Sequence, residues 1–250
     1  MAKRKARVLL YDIEVSREIV EGYKNGYDFN VVKTIRHQEL MCFAYKWLGE
    51  GKIHYVSRHD FPFYKEFVAE LWNILDEADV AIAHNANRFD HKMANRFFIK
   101  EDFAPVRPYK SIDTLSVARS TFKFTSNRLN DLCEYLGIGS KEKITYADIE
   151  TDFLQNPTPK VERLMRKYNI QDVKLLEQLY LKMRPYIKNH PNIGDIEQLD
   201  GICPKCGSPN IKKEGTHARR GGRVQSYSCS DCGGWCSEAS LNKNGRVVNA

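Results

Sequence analysis

Asp12 and Glu14 stand two residues apart in the run RVLLYDIEV, residues 7–15. A strand repeats every two residues, so both carboxylates point to one face of a sheet. Holding two like charges side by side is costly unless a cation compensates. A second acidic position, Asp90, closes the segment His84-Asn85-Ala86-Asn87-Arg88-Phe89-Asp90, which follows the short apolar strand at 80–84 and enters a helix. Catalytic groups in α/β folds favour such strand exits. A third signal is Tyr168 four residues before Asp172, a spacing that puts both on one helix face. Each signal has a plain alternative: a solvated strand end, a charge at a helix N-terminus, a surface Tyr–Asp pair. Together, Asp12, Glu14, Asp90 and Asp172 form the inventory for two Mg²⁺ or Mn²⁺ ions about 4 Å apart, with Tyr168 orienting the attacking water. That chemistry suits phosphodiester hydrolysis, in which charge develops on both the attacking and the leaving oxygen.

A second constellation lies near the C-terminus. The chain has seven cysteines, of which Cys42 and Cys133 sit alone among apolar residues as core thiols. The others crowd between Cys203 and Cys236. Cys203-Pro204-Lys205-Cys206-Gly207 and Cys229-Ser230-Asp231-Cys232-Gly233 are two knuckles that supply four thiolates for one structural Zn²⁺. Cys236 and His217 are left outside this set. A disulfide framework fits poorly with an odd cysteine count. Residues 210–228 read as a hairpin, and a segment this short needs the metal for much of its folding energy. Its Lys212, Lys213, Arg219, Arg220 and Arg223, with Tyr227, suit phosphate contact and stacking. A solvated basic loop and a protein-binding ribbon are the alternatives.

Regular elements must carry these groups. Strands are expected at 7–15, 40–48, 52–57 and 80–84, the second and third joined by a turn at Gly49-Glu50-Gly51. Helices are expected at 63–76, 88–99, 127–136 and 159–186, the last broken near Pro185. Residues 109–118 begin as a strand and continue as a helix. Strands first, then strands alternating with helices, imply an α/β domain with a mixed sheet. The expected organisation is a domain at 1–187, a linker at 188–200 and a zinc ribbon with tail at 201–250. The 250 residues carry 39 basic and 32 acidic side chains, and 8 basic against 3 acidic fall after residue 200, which favours a polyanionic partner. No apolar run approaches the ~18 residues of a membrane span, so no membrane partner is expected. The basic N-terminus does not continue into the apolar stretch of a secretory signal, so a reducing, cytoplasmic setting is expected.

The three acidic motifs resemble those of the four-acid 3′–5′ exonucleases: Asp12-Ile13-Glu14, then Asn85 to Asp90 as Asn-x-x-x-Phe-Asp, then Tyr168 to Asp172 as Tyr-x-x-x-Asp. Lys167 stands where the histidine branch would place His, so the tyrosine branch is the better match. The likeness is greatest to proofreading domains of family B DNA polymerases and covers roughly residues 7–185. It implies a ribonuclease H-like fold, two catalytic metal ions and release of nucleoside monophosphates from single-stranded DNA or an unpaired 3′ end. It also implies that Asn85 contacts the strand. Looser matches surround Asp113, a structural or supporting candidate, and Asn127–Leu132. Phe122 and Lys123 suit stacking and phosphate contact, or equally a core aromatic beside a solvated lysine. Only about 65 residues follow Pro185, so a free-standing nuclease and a subunit serving a separate DNA polymerase are both expected readings. Ribonuclease action and a catalytically inactive nucleic-acid or protein binding module are the alternatives.

Overall fold

The computed structural model describes residues 4–140, 146–155, 157–237 and 241. In chain order the elements are β1 (Val8–Val15), β2 (Ile19–Asn25), β3 (Asp28–Arg36), β4 (Leu40–Trp47), β5 (His54–Ser57), α1 (Tyr64–Glu77), β6 (Val80–Ala83), α2 (Asp90–Lys100), β7 (Lys110–Asp113) and α3 (Thr114–Thr121). There follow α4 (Leu129–Tyr135), α5 (Tyr146–Gln155), α6 (Pro159–Met183), α7 (Ile193–Glu197), β8 (Ile211–Arg219), β9 (Gly222–Cys229) and β10 (Trp235–Ser237).

Five strands form the main sheet in the order β5-β4-β1-β6-β7. β4 pairs antiparallel with β1 and β5, whereas β6 runs parallel to β1 and to β7. A parallel neighbour requires a crossover, and α1 and α2 supply the two that are needed. This is the ribonuclease H-like mixed sheet flanked by helices that the acidic motifs imply.

β1 is central and buried on both faces. Leu9, Tyr11, Ile13 and Val15 pack into one cluster with Phe67, Leu71 and Leu75 of α1 and Met93 and Phe97 of α2. Val8 and Leu10 pack into another with Val173, Leu176 and Tyr180 of α6. The same period of two continues Val8 and Leu10 into Asp12 and Glu14, so the acids belong to the α6 side. α6 starts at a Thr158 cap whose hydroxyl accepts from the Val161 N–H, with Pro159 at the first helical position. Its buried stripe runs Val161, Met165, Asn169, Asp172, Leu176, Leu179 and Met183, the spacing of one helical face. It gives way to a 3₁₀ turn at Arg184–Tyr186, where Pro185 cannot continue an α-helix.

Three further elements, β2, β3 and α5, are absent from the sequence reading. β2 and β3 form a separate antiparallel ribbon that turns at Gly26, whose φ is +62°. Asn25-Gly26 between β-branched and aromatic residues is a strong hairpin signal. This ribbon leaves Tyr23, Phe29, Val31, Val32 and Ile35 more than half exposed. α5 buries Ile149 and Phe153 against Met41, Cys42 and Met165.

The C-terminal part is a small three-stranded sheet in the order β10-β9-β8, consistent with the expected zinc ribbon. The stretch 188–200, expected as a linker, contains α7 and is tied at both ends. Ile187 and Ile193 are buried with Val8, Leu10 and Tyr180. Ile193 N–H donates to the Pro204 carbonyl at 2.8 Å, the Ala6 N–H donates to Glu197 at 2.9 Å, and Lys205 Nζ donates to the Pro185 carbonyl. No helix among the described residues is long and apolar enough to cross a membrane.

Because Ile193 plugs the seam between the two sheets, Ile193→Ala is expected to cost about 2–5 kcal/mol through lost burial and the cavity left behind. Urea unfolding of the full chain, followed by intrinsic fluorescence, reads this directly. An unshifted midpoint would mean that the ribbon does not brace the large domain.

Candidate functional site

The strand–helix contact described above brings Asp12, Glu14 and Asp172 to one point. A carboxylate oxygen from each lies within 4.8 Å of the others. Asn169, fully buried one turn earlier on α6, donates from Nδ2 to the Asp12 carboxylate at 2.7 Å and to the Asp12 carbonyl at 3.2 Å. Its Oδ1 is buried with no hydrogen-bond partner among the described residues. An octahedral Mg²⁺ with ~2.1 Å bonds sets its ligands ~3 Å (adjacent) to ~4.2 Å (opposite) apart, inside the 4.8 Å within which the three carboxylate oxygens gather. Crowded carboxylates beside an unsatisfied acceptor fit a hydrated divalent cation. Tyr168 is half-buried, four residues before Asp172 on the same helix.

Asp90, the fourth expected acid, is not part of that cluster. It begins α2, which packs on the opposite face of the sheet. Its buried carboxyl accepts from its own N–H and from Ile13 N–H, on the residue between Asp12 and Glu14. Burial pushes Asp90 up to about 7; those two N–H bonds oppose the rise and the Asp113 charge adds to it.

Asp113 is a clamp. Its carboxylate accepts from the N–H groups of Asn85 and Asn87 at 3.0 and 3.3 Å and of Leu115 and Ser116 at 3.0 and 3.2 Å. It therefore caps α3 and holds the loop that leads to Asp90. Asn85 takes a φ of +73° there, a left-handed conformation that Asn tolerates better than most residues. His91, which shows no metal-ligand spacing in the sequence, joins a second support. Tyr11 and Tyr109 hydroxyls meet its Nδ1 at 2.8 and 3.0 Å, and its Nε2 meets Ser111 Oγ at 2.8 Å. Ser111 in turn donates to Asn87 Oδ1 at 3.0 Å. Ser111 spends its hydroxyl proton on Asn87 and so accepts from His91, which assigns the ring proton to Nε2 and leaves Nδ1 to accept from the tyrosines; burial lowers His91 and raises Tyr11. The signals for these supports were present: Asn169 lies on a helical stripe that is apolar apart from it and Asp172, and His91 follows Asp90 directly. His54 and His59 are engaged elsewhere, the first stacked on Tyr45 and the second tilted against Phe153.

The sequence matches the family RNase_H_2, of the RNase H superfamily, over residues 28–184. This chain belongs to the RNase H superfamily. The match starts beyond Asp12 and Glu14, so their inclusion in the site rests on the geometry above. Among solved structures, the fold is similar to the family B DNA polymerase from the hyperthermophilic archaeon Pyrobaculum calidifontis, with a TM-score of 0.50 and 15% identity. The similarity covers 73% of this chain and 26% of that polymerase. No curated protein matches the sequence.

This RNase H superfamily chain also gathers Cys203, Cys206, Cys229 and Cys232 into one cluster. Cys203 and Cys232 Sγ atoms lie 3.7 Å apart, as do those of Cys206 and Cys229. A tetrahedral Zn²⁺ with ~2.3 Å bonds sets its sulfurs ~3.8 Å apart, whereas a disulfide needs ~2.05 Å. The donor set and spacing therefore fit zinc. Hydrogen bonding from Cys206 holds the Cys203 thiol down at about 5 and pushes Cys206 up. Cys236 lies outside the cluster on β10, with its thiol pushed up to about 11 by burial. His217 meets Ser226 Oγ at 2.7 Å.

The expected nucleic-acid contacts are dispersed. Phe122 packs against Phe124 and edge-on to Tyr186, and Lys123 is exposed beside it. Lys212, Lys213 and Arg220 are exposed on the ribbon and Tyr227 is half-buried. Arg223 is pinned to Thr216 by two hydrogen bonds, and the Arg219 side chain lies outside the described residues.

Two outcomes follow. The folded value of Asp90, about 7, exceeds the unfolded ~3.9, so the native state prefers the protonated form. Its contribution is full below pH ~4 and is lost as pH rises through 7. In metal-free buffer Asp90→Asn should therefore raise the melting temperature at pH 8 and give no gain at pH 4. Equal shifts at both pH values would contradict this. For the ribbon, Cys203→Ser should lose the bound zinc whereas Cys236→Ser should keep one per chain, as read by metal analysis of the purified protein.

Proposed function

We propose that the chain is a metal-dependent 3′–5′ exonuclease that shortens single-stranded DNA, or an unpaired 3′ end, and releases nucleoside monophosphates. The observation that carries this reading is the convergence of Asp12, Glu14 and Asp172 within 4.8 Å on an RNase H superfamily fold. Asp90, bonded to the same strand at Ile13, is the fourth acid in this reading. Bound Mg²⁺ or Mn²⁺ ions supply an activated water and stabilise charge on the leaving 3′-oxygen.

The chain's own groups do the rest. Asn169 sets the rotamer of Asp12, so that carboxylate is oriented before any ion arrives. Tyr168, four residues before Asp172, presents a hydroxyl that orients the attacking water. The Asp113 clamp and the His91 chain hold Asn85 and Asn87 where the strand's terminal residues would lie. The four cysteines hold one structural Zn²⁺ and keep the ribbon folded. The fold similarity to a family B DNA polymerase supports a second reading, a proofreading subunit beside a separate polymerase.

The test is cleavage of 5′-labelled DNA and RNA strands, with divalent ions first removed and then restored. Stepwise shortening of DNA from the 3′ end is expected only with Mg²⁺ or Mn²⁺. Asp12→Ala and Asp172→Ala should each abolish it without lowering the melting temperature, because loss of one carboxylate also relieves repulsion. Tyr168→Phe should slow it by roughly 10²-fold. Shortening of RNA alone would make the protein a ribonuclease. Binding of strands without cleavage under any ion would make it a binding module.

A further inference from the structure

The ribbon and the large domain enclose a cavity of about 610 Å³ that none of the residues above explains. One wall is the segment after α6, with Lys188, His190 and Asn192. The other is the ribbon, with Lys205 from the first cysteine knuckle and His217 and Trp235 from the small sheet. No acidic residue lines it among the described residues. Trp235 is 61% exposed on this wall, an unusual place for an indole unless something stacks on it. The chain's other two tryptophans are engaged: Trp47 lies under the Arg7 guanidinium, 3.9 Å from its ring centre, and Trp72 donates to the Ala104 carbonyl at 2.7 Å.

A second hollow, of about 470 Å³, adjoins the first, because Lys188 lines both. Its walls are polar and mostly uncharged, with Asn87, Ser111, Ser116, Ser120 and Asn189 among them. Its one acid, Asp113, spends its carboxylate on four backbone N–H groups. Asn87 and Asp113 are also the residues that hold the loop before Asp90. Adjoining at Lys188, the two hollows line one surface track from Asn87 and Asp113 to Trp235.

We propose that this track is a binding site for an unpaired nucleic-acid strand, with Lys188 meeting a phosphate and a base stacking on Trp235. The choice of occupant rests on the nuclease reading. Lys205 spends its ammonium on the Pro185 carbonyl and burial holds His190 down at about 4, so Lys188 is the lining cation left to meet a phosphate, and an exposed indole accepts any base on its face. Continuity with the loop before Asp90 favours the strand being cut over an unrelated anion. The ribbon would then be the far wall of the substrate groove. Its zinc would hold Trp235 opposite Lys188 by fixing β9, on which β10 pairs through Trp235 and Ser228.

The experiment is titration of the full chain with an oligothymidylate of about 12 nucleotides, without added divalent ion, followed by tryptophan emission. Quenching is expected and should vanish in Trp235→Phe but persist in Trp72→Phe. Trp235→Ala should weaken binding by about 5- to 100-fold, the usual cost of losing one base–aromatic stack. Lys188→Ala should lower the slope of log affinity against log salt by about 0.7, the single-strand value for one phosphate contact. Zinc content and melting temperature, measured on each variant, show that the ribbon is intact. If strands bind with the Trp235 emission unchanged, or if folded Trp235→Ala and Lys188→Ala bind as the parent does, the track is not the strand's path and the cleft belongs to a protein partner. Cleavage by the parent is scored separately. Quenching at Trp235 without cleavage upholds the track and removes the nuclease reading, whereas cleavage without quenching does the reverse.

Discussion

Three carboxylates held within 4.8 Å of one another repel, and the main sheet and α6 exist in a geometry that keeps them there. At an effective dielectric near 20, each such pair costs about 3–4 kcal/mol. The chain bears this with apolar burial on both sides of β1. Leu9, Tyr11 and Ile13 anchor it to α1 and α2, and Val8 and Leu10 anchor it to α6. The acids are then the last members of a row whose first members are core. Moving them apart would mean sliding a fully buried strand by one register, which would turn every side chain to the wrong face.

Given that constraint, the polar groups around the site have clear tasks. Asn169 is the only polar side chain on the α6 stripe besides Asp172, and it binds Asp12 by side chain and backbone together. Asp113 converts one buried charge into four backbone hydrogen bonds and so ties β7, α3 and the loop after β6 into one unit. The His91 chain adds a second tie on the same face, linking β1, α2 and β7 to Asn87 of that loop. The Asp113 clamp is a satisfied network, the form in which polar groups add rigidity rather than cost, whereas Asn169 keeps one buried oxygen without a hydrogen bond among the described residues. Asp90 alone is held on borrowed terms: two backbone N–H groups do not offset its burial.

The ribbon is joined to the large domain at a seam and is not tethered by an open linker. Ile193 fills the apolar part of the seam while Lys205 and Glu197 close its polar parts. A small three-stranded sheet has little core of its own, so the cysteine cluster and this docking share the work of keeping it folded. The same seam creates the hollow between Lys188 and Trp235, because two convex bodies that touch along one line leave a groove beside it.

Much of the site was legible in the residues themselves. Period two in β1 and the four-residue spacing of Tyr168 and Asp172 are local properties, and they place Asp12, Glu14 and Asp172 on defined faces before any packing is known. Two Cys-x-x-Cys-Gly knuckles carry their meaning in the same local way. Pro185 marks the end of α6 because a proline acts on its own turn. The β2–β3 hairpin was also written locally, in Asn25-Gly26, but its alternation is masked by exposed apolar residues on both faces. What tertiary structure decided was which faces meet. It put α6 on the acidic face of β1 and α2 on the other, so three acids converge while Asp90 turns to the Ile13 backbone. It also folded the stretch after Pro185 back onto Val8 and Tyr180, and so set Lys188 across from Trp235. Spacing along a chain determines the face on which a side chain stands, but only long-range burial determines what stands opposite it.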